Sequence, residues 1–340
     1  MKNVLVTGGA GFIGSNFVRY ALKHRADWKL HVLDLLTYAG NLENLADLIQ
    51  AGQIQFIKAD IADQPQIDAI FAQQRFDLTF HFAAESHVDR SILSATEFVR
   101  TNVLGTQVLL NALQAHTPKQ RFVHVSTDEV YGSLGPTGRF LETTPLDPTS
   151  PYSASKAASD LMVLAAVKTH GLNAVVTRCT NNYGPYQFPE KFIPLFITNA
   201  LEDLALPLYG DGMNVRSWLH VDDHAAALLA VGDRGRAGEV YNIGGAEESE
   251  IPNLIVAQQI LKALKKPESL IKRVADRPAH DRRYAIDYTK INQELGWSPR
   301  IAFAQGLEST IRWFLDNKGW WRNIKTGEYL KYYERNYQGR

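Results

Sequence analysis

The chain has 340 residues, room for one large α/β domain and a smaller one. Its 36 Lys and Arg balance 36 Asp and Glu, which excludes a global field drawing it to nucleic acid or an anionic membrane. One cysteine, Cys179, excludes an internal disulfide and suits a reducing compartment, and no apolar run approaches the ~20 residues of a spanning helix.

A strand pattern begins at Asn3 and runs to Thr7, leaving no space for a signal peptide, so a cytoplasmic protein is expected. Glycine-rich residues 8–14 lead into a helical pattern that continues to about His24. A strand over Leu30–Asp34, a helix near Leu42–Gln50, a strand over Gln55–Asp60, a helix over Gln64–Gln74 and a strand over Asp77–Ala83 follow. A long amphipathic helix is expected near Ala95–His116, then a strand over Arg121–Ser126, a helix over Ser153–His170 and a strand over Ala174–Arg178. Strands alternating with helices of this length predict a doubly wound parallel sheet of Rossmann type. After Cys179 the rhythm changes. Residues 181–189 read as an ordered, aromatic loop facing a ligand. The expected division is a dinucleotide-binding domain over residues 1–180 and a smaller, discontinuous C-terminal α/β domain over 181–340. Residues 220–245, a helix and a strand, would rejoin the first sheet. The C-terminal aromatics Trp313, Trp320, Trp321, Tyr329, Tyr332 and Tyr333 are expected to pack a small core.

Gly8, Gly11 and Gly14 stand between a strand and a helix. There, glycine permits a tight turn, close approach of a pyrophosphate to backbone, and close helix–strand packing. Asp34 ends the next strand, 20 residues after Gly14. A carboxylate there binds the adenosine ribose hydroxyls and repels a 2′-phosphate, favouring NAD over NADP. Asp60, ending the third strand, is the expected adenine contact, although a strand-end acid can equally be solvated.

Tyr152 and Lys156 lie one helical turn apart on one face. A phenol with a pKa of about 10 is a poor base near neutrality, and an ammonium beside it stabilises the phenolate. The Tyr-x-x-x-Lys spacing is weak by itself in a chain with 14 tyrosines, and gains meaning from the segment before it. That segment, Val123 to Gly132, begins as a β-branched strand and breaks into Thr127, Asp128 and Glu129. Neighbouring strand residues point to opposite faces, so both acids can serve one ligand only if the strand has ended. Close carboxylates tend to hold different protonation states, which suits an elimination that needs a base and an acid. A solvated acidic turn is the plain alternative.

With these pieces assembled, the chain resembles the extended short-chain dehydrogenase/reductases, and more closely the dTDP-glucose 4,6-dehydratase family. The resemblance covers nearly the whole chain. It is carried by residues 7–15, 36–41, 83–91, 126–132, 181–186 and 188–191, by Asp276-Arg277-Pro278 with residues 280–284, and most specifically by the runs Ala84-Glu85-Ser86-His87-Val88-Asp89-Arg90-Ser91 and Thr127-Asp128-Glu129. It implies an NAD-dependent hydro-lyase that makes a 4-keto-6-deoxy sugar nucleotide, a precursor of deoxysugars such as rhamnose. Tyr152 with Lys156 would take the 4-hydroxyl proton, Thr127 would hydrogen-bond that oxygen, Glu129 would abstract the carbon 5 proton, and Asp128 would protonate the departing 6-hydroxyl. Hydride would leave carbon 4 and return to carbon 6.

The same resemblance assigns the cofactor to Gly8, Gly11, Phe12, Ile13, Gly14, Asp34, Leu35, Leu36, Thr37, Asp60, Ile61, Phe82, Ala83, Ala84, Ser86, Thr101, Tyr152, Lys156 and Asn182. It assigns the sugar nucleotide to Ser86, Thr127, Asn181, Lys191, Phe192, Pro207, Leu208, Tyr209, Arg216, Asn242, Asp276, Arg277 and His280. Arginine forks at 216 and 277 match a diphosphate. No metal is implied, and a homodimer built on the helices near 95–116 and 153–170 is. Leu35, Ser217 and Ala279 depart from the family pattern at positions that bear on affinity. A sugar-nucleotide 4-epimerase would share the cofactor site and Tyr152 with Lys156 but has no use for Asp128 and Glu129. A 4,6-dehydratase for a UDP, CDP or GDP sugar, and a non-catalytic NAD-sensing protein on the same fold, also stay open.

Overall fold

The computed structural model describes residues 1–276, 280–327, 329 and 333. The elements run β1 (Lys2–Thr7), α1 (Phe12–His24), β2 (Trp28–Asp34), α2 (Ala46–Gln50), β3 (Ile54–Lys58), α3 (Gln64–Gln73), β4 (Leu78–His81), α4 (Val88–Leu93), α5 (Thr96–Phe98) and α6 (Thr106–His116). There follow β5 (Arg121–Thr127), α7 (Pro151–His170), β6 (Ala174–Cys179), β7 (Asn181–Tyr183), α8 (Phe192–Leu201), β8 (Leu206–Tyr209), β9 (Val215–His220) and α9 (Val221–Arg234). The chain continues through β10 (Val240–Ile243), β11 (Glu250–Pro252), α10 (Asn253–Leu264), β12 (Ile271–Val274), α11 (Thr289–Leu295), α12 (Phe303–Asp316) and α13 (Lys318–Ile324).

Seven strands form a parallel sheet in the order β10-β6-β5-β4-β1-β2-β3. Strands covered on both faces read as continuous apolar runs, as in Val4-Leu5-Val6 and Ala174-Val175-Val176. One core packs Phe17 and Val18 of α1 and Leu228 and Val231 of α9 against one face. The other packs Phe71 of α3, Leu109 and Leu113 of α6 and Val163 of α7 against the opposite face. Strand order reverses between β1 and β4, and the crevice beyond the carboxyl ends there is where such sheets bind ligands.

The remaining strands make a three-stranded sheet, β11-β9-β7, and a β12-β8 pair. Phe196 of α8, Ile260 of α10, Phe314 of α12 and Trp321 of α13 build a third core around them. Trp313, Trp320 and Tyr333 pack against it, and Trp313 and Trp320 meet the Tyr186 ring tilted and edge-on. Tyr332 lies outside the described residues.

Three local expectations are revised. Residues 181–189 are not wholly loop, because Asn181–Tyr183 pair in parallel with Trp218–His220. The expected helix over Ala95–His116 is interrupted by a π turn over Val99–Gly105, where Asn102 turns inward to donate to Ser155 Oγ at 2.8 Å and to Glu85 O at 3.0 Å. β4 stops at His81, two residues before the expected end, as the chain leaves the sheet toward the crevice.

Candidate active site

The first β–α turn is shaped by steric necessity. Gly8 has φ +69°, and a Cβ there would sit 2.5 Å from Ala83 N; one on Gly14 would sit 2.3 Å from Gly8 O. Only glycine fits where the turn, the β4 end and the helix start converge. α1 begins at Phe12 without a capping side-chain bond, so its first-turn N–H groups serve the cavity lined by Gly11, Phe12 and Ile13. Asp34 is buried and accepts from Ala10 N at 3.0 Å and Leu36 N at 2.8 Å. Burial raises its pKa and those two N–H groups oppose the rise. Asp60 meets Arg100 at 2.6 Å on the same cavity wall. The glycine cradle, the open helix start and the anchored acid are a donor and acceptor set that fits a dinucleotide.

This cavity runs from the glycine turn to the end of β5. It is lined by Gly8, Gly11, Phe12, Ile13, Gly14, Asp34, Leu35, Thr37, Asp60, Ile61, Phe82, Ala83, Ala84, Ser86, Thr101, Tyr152, Lys156 and Asn182, which is the whole expected cofactor set apart from Leu36. Leu36 adopts φ 60° and contributes its N–H to Asp34 instead. The cavity also holds Thr127, Asp128 and Glu129.

Those three residues sit where β5 gives way to a 3-10 turn over Asp128–Tyr131. Thr127 caps the turn, its Oγ1 accepting from Glu129 N at 3.2 Å and donating to Asp128 Oδ1 at 3.3 Å. The turn breaks the strand alternation and brings both acids to one cavity. Asp128 is 2% exposed, and its Oδ2 has no hydrogen-bond partner among the described residues. Burial, then the neighbouring Glu129 charge, pushes its carboxyl up to about 8, against the pull of Arg216 and Thr127. Asp128 is therefore largely a neutral acid near pH 7.

α7 supplies the other half. Ser150 and Ser153 form a reciprocal capping box, and Pro151 takes the first helical position. The helix thus starts two residues earlier than the expected Ser153 and places Tyr152 in its first turn. Lys156 Nζ donates to Val125 O at 2.9 Å. Burial lowers Lys156 to about 8, opposed by Asp160 and Cys179. Burial and Glu129 raise the Tyr152 phenol well above its ordinary value, and a hydrogen bond with Thr127 works the other way. The Cys179 thiol also lines the cavity, pushed up to about 12 by burial, which makes it a poor nucleophile.

A second cavity adjoins the first and shares Ser86, Glu129, Asn181 and Lys191 with it. Phe192, Pro207, Leu208, Tyr209, Arg216 and His280 complete the expected substrate residues found there. Arg216 is aimed by Asp281 O at 3.0 Å and lies over the Tyr284 ring at 4.5 Å. Tyr209 donates to Asp89 at 3.1 Å. Asn242 is a correction: it is fully buried in β10, lines neither cavity, accepts from Tyr131 OH at 2.8 Å and donates to Phe140 O at 3.1 Å. Asp276 also lines neither and takes His280 Nδ1 at 2.5 Å. Arg277 and Ala279 lie outside the described residues. Glu190, Tyr38, Glu85 and Trp218 line these cavities without having been singled out. The signal for Glu190 was its place beside Lys191, an acid within an aromatic loop.

A sheet with its cavity at the switch point, and a lysine one turn below a buried tyrosine at the cavity wall, define the short-chain dehydrogenase/reductase class. Residues 5–310 match the family model described as GDP-mannose 4,6 dehydratase. A dTDP-glucose 4,6-dehydratase of Streptomyces niveus is 54% identical over 327 residues, covering 95% of this chain and 96% of that protein. The crystal structure of a dTDP-glucose 4,6-dehydratase from Streptomyces venezuelae, with NAD and dTDP bound, matches at 50% identity and a TM-score of 0.91, covering 95% of this chain and 100% of that one. The Bacillus anthracis enzyme of the same name, in complex with NAD, matches at 48% and 0.89, covering 96% and 100%. The chain belongs to the dTDP-glucose 4,6-dehydratase family.

Proposed function

We propose that the protein converts dTDP-glucose to dTDP-4-dehydro-6-deoxy-glucose and water, with NAD in the glycine-turn cavity and the sugar nucleotide in the adjoining one. One observation carries the reading: a buried carboxyl held neutral, Asp128, stands next to a second acid, Glu129, in the cavity that also holds Tyr152 and Lys156. An epimerase needs only the last two.

The glycine turn, the start of α1 and Asp34 would hold NAD, which would supply a hydride acceptor for carbon 4 and a hydride donor for carbon 6. Tyr152 takes the 4-hydroxyl proton, with Thr127 hydrogen-bonding the same oxygen and Lys156, one helical turn further on, lining the same cavity. The resulting ketone acidifies carbon 5. Glu129 removes that proton and returns one to carbon 5 when hydride reaches carbon 6, and Asp128 delivers its own to the leaving 6-hydroxyl, the step for which a carboxyl with a pKa of about 8 is suited. Arg216, fixed by Asp281 and Tyr284, faces the diphosphate in the second cavity. Asp34 takes the adenosine ribose, and Asp60 lies toward the adenine.

The test is incubation of the purified protein with dTDP-, UDP-, CDP- and GDP-glucose. A 4-keto-6-deoxy product from the dTDP sugar with no net reduced nicotinamide is expected. Stoichiometric reduced nicotinamide would sink the redox-neutral scheme, and preference for another sugar nucleotide would overturn the substrate.

A homodimer is the further proposal. Leu93 of α4, Val99 and Leu104 of the π turn, and Leu161 and Met162 of α7 are exposed apolar residues on neighbouring elements. A cytoplasmic location is supported by the single, buried, unbridged Cys179.

A further inference from the structure

Under the active site lies a carboxylate that the chemistry above does not use. Asp160 is 0% exposed, in α7, one turn beyond Lys156 and two beyond Tyr152, on the same helix face. Its Oδ2 accepts from Arg178 Nε at 2.8 Å, and its Oδ1 lies 3.4 Å from His124 Nε2. Arg178 in turn donates from Nη1 to Tyr131 OH at 2.9 Å, and Tyr131 is the hydroxyl that Asn242 holds. The chain of contacts crosses β5, β6 and β10 and ends on a helix residue directly below the catalytic pair.

The arrangement has an electrostatic consequence. Two cations, Lys156 and Arg178, are buried here, and a buried charge is costly without a partner. The charged and titratable groups that interact with Lys156 are Asp160 from its own helix, His124 from β5, His81 from β4 and Cys179 from β6, and Asp160 is itself paired with Arg178 of β6. Burial takes His124 down to about 4, so it is neutral, and the Cys179 thiol is protonated. Asp160 is left as the ionised partner: burial would raise its pKa, but the His124 bond and the Arg178 and Lys156 charges hold it below the ordinary value.

We propose that Asp160 is a positioning residue that keeps Lys156 an ammonium beneath Tyr152, and that Arg178 tempers this by drawing on the same carboxylate. The proposal rests on the Tyr152–Lys156 reading above. Removing the carboxylate takes away the anion on which both cations draw, and Lys156 loses its proton more readily. Removing the guanidinium leaves Lys156 as the one cation of this pair that draws on Asp160, and the ammonium holds its proton to higher pH. A merely structural role would move both variants the same way.

The full-length enzyme carrying Asp128→Asn is the background for the test, since Asp128 no longer titrates there. With dTDP-glucose added, the single-turnover rise of reduced nicotinamide is followed across pH. Asp160→Asn should move the alkaline limb of that rise, where Lys156 loses its proton, downward by about one pH unit or more, and Arg178→Gln should move the same limb upward. An unmoved dependence in either variant, or shifts of the same sign, overturns the proposal. If Asp160→Asn fails to fold, the Arg178→Gln shift decides alone, upward in favour and absent or downward against. Absence of any reduced nicotinamide in the background enzyme would instead be a failure of the functional reading itself.

Discussion

Asp128 shows what a single side chain can and cannot disclose. The Asp-Glu pair after a β-branched strand was legible as a possible acid and base. Which of them is neutral depends on burial, which no local pattern states. Folded, Asp128 rises from its ordinary 3.8 to about 8, so the folded state holds a proton that the unfolded state releases. Its contribution to stability is fully present below pH 3.8 and is lost as pH rises through about 8. Asparagine does not titrate. Asp128→Asn should therefore gain unfolding stability relative to the parent as pH rises across that window, by up to about 6 kcal/mol. Thermal unfolding of both proteins at several pH values reads this, and a difference constant with pH would show that Asp128 is not held neutral. Asn242 and Asp160 mark the opposite case. An asparagine on a strand and an acid four residues after a lysine look ordinary in sequence, and their tie through Tyr131 and Arg178 exists only once β5, β6 and β10 lie side by side.

Among elements, the strands and helices that alternate up to Cys179 were readable because two-sided burial makes apolar strands and one-sided burial makes amphipathic helices. What escaped were short or tertiary-driven features. β7 has three residues, too few for any periodicity, and exists because β9 pairs with it. The π turn over Val99–Gly105 depends on Asn102 reaching Glu85 and Ser155, both distant in sequence. α7 matters most, since it carries Tyr152, Lys156 and Asp160 together. Its start is fixed by Ser150, whose Oγ accepts from Ser153 N at 3.1 Å while Ser153 Oγ answers to Ser150 N at 3.0 Å. Ser150→Ala removes one half of that box and should cost about 1 kcal/mol in denaturant unfolding. An unchanged midpoint would mean that tertiary packing alone sets the helix start.

At the scale of the molecule, the second group of elements gathers residues that are far apart in the chain, from β7 to α13, so no local reading could assemble its cavity. Arg216, Tyr209, Phe192 and His280 meet Ser86 and Glu129 only through that assembly. The exposed apolar side chains of α4, the π turn and α7 are the other whole-molecule feature. Leu161→Glu, at a position 57% exposed, should convert a dimer to a monomer in sedimentation equilibrium without loss of fold. A parent protein that sediments as a monomer would contradict the dimer.

The central claim is that one site oxidises carbon 4, eliminates water across carbons 5 and 6, and reduces carbon 6 without releasing electrons. dTDP-glucose carrying deuterium on carbon 4 tests it most directly. A 4-keto-6-deoxy product with the deuterium on carbon 6 and none in free nicotinamide is expected. Deuterium retained on carbon 4 of an epimerised sugar, or lost to a stoichiometric pool of reduced nicotinamide, would contradict it.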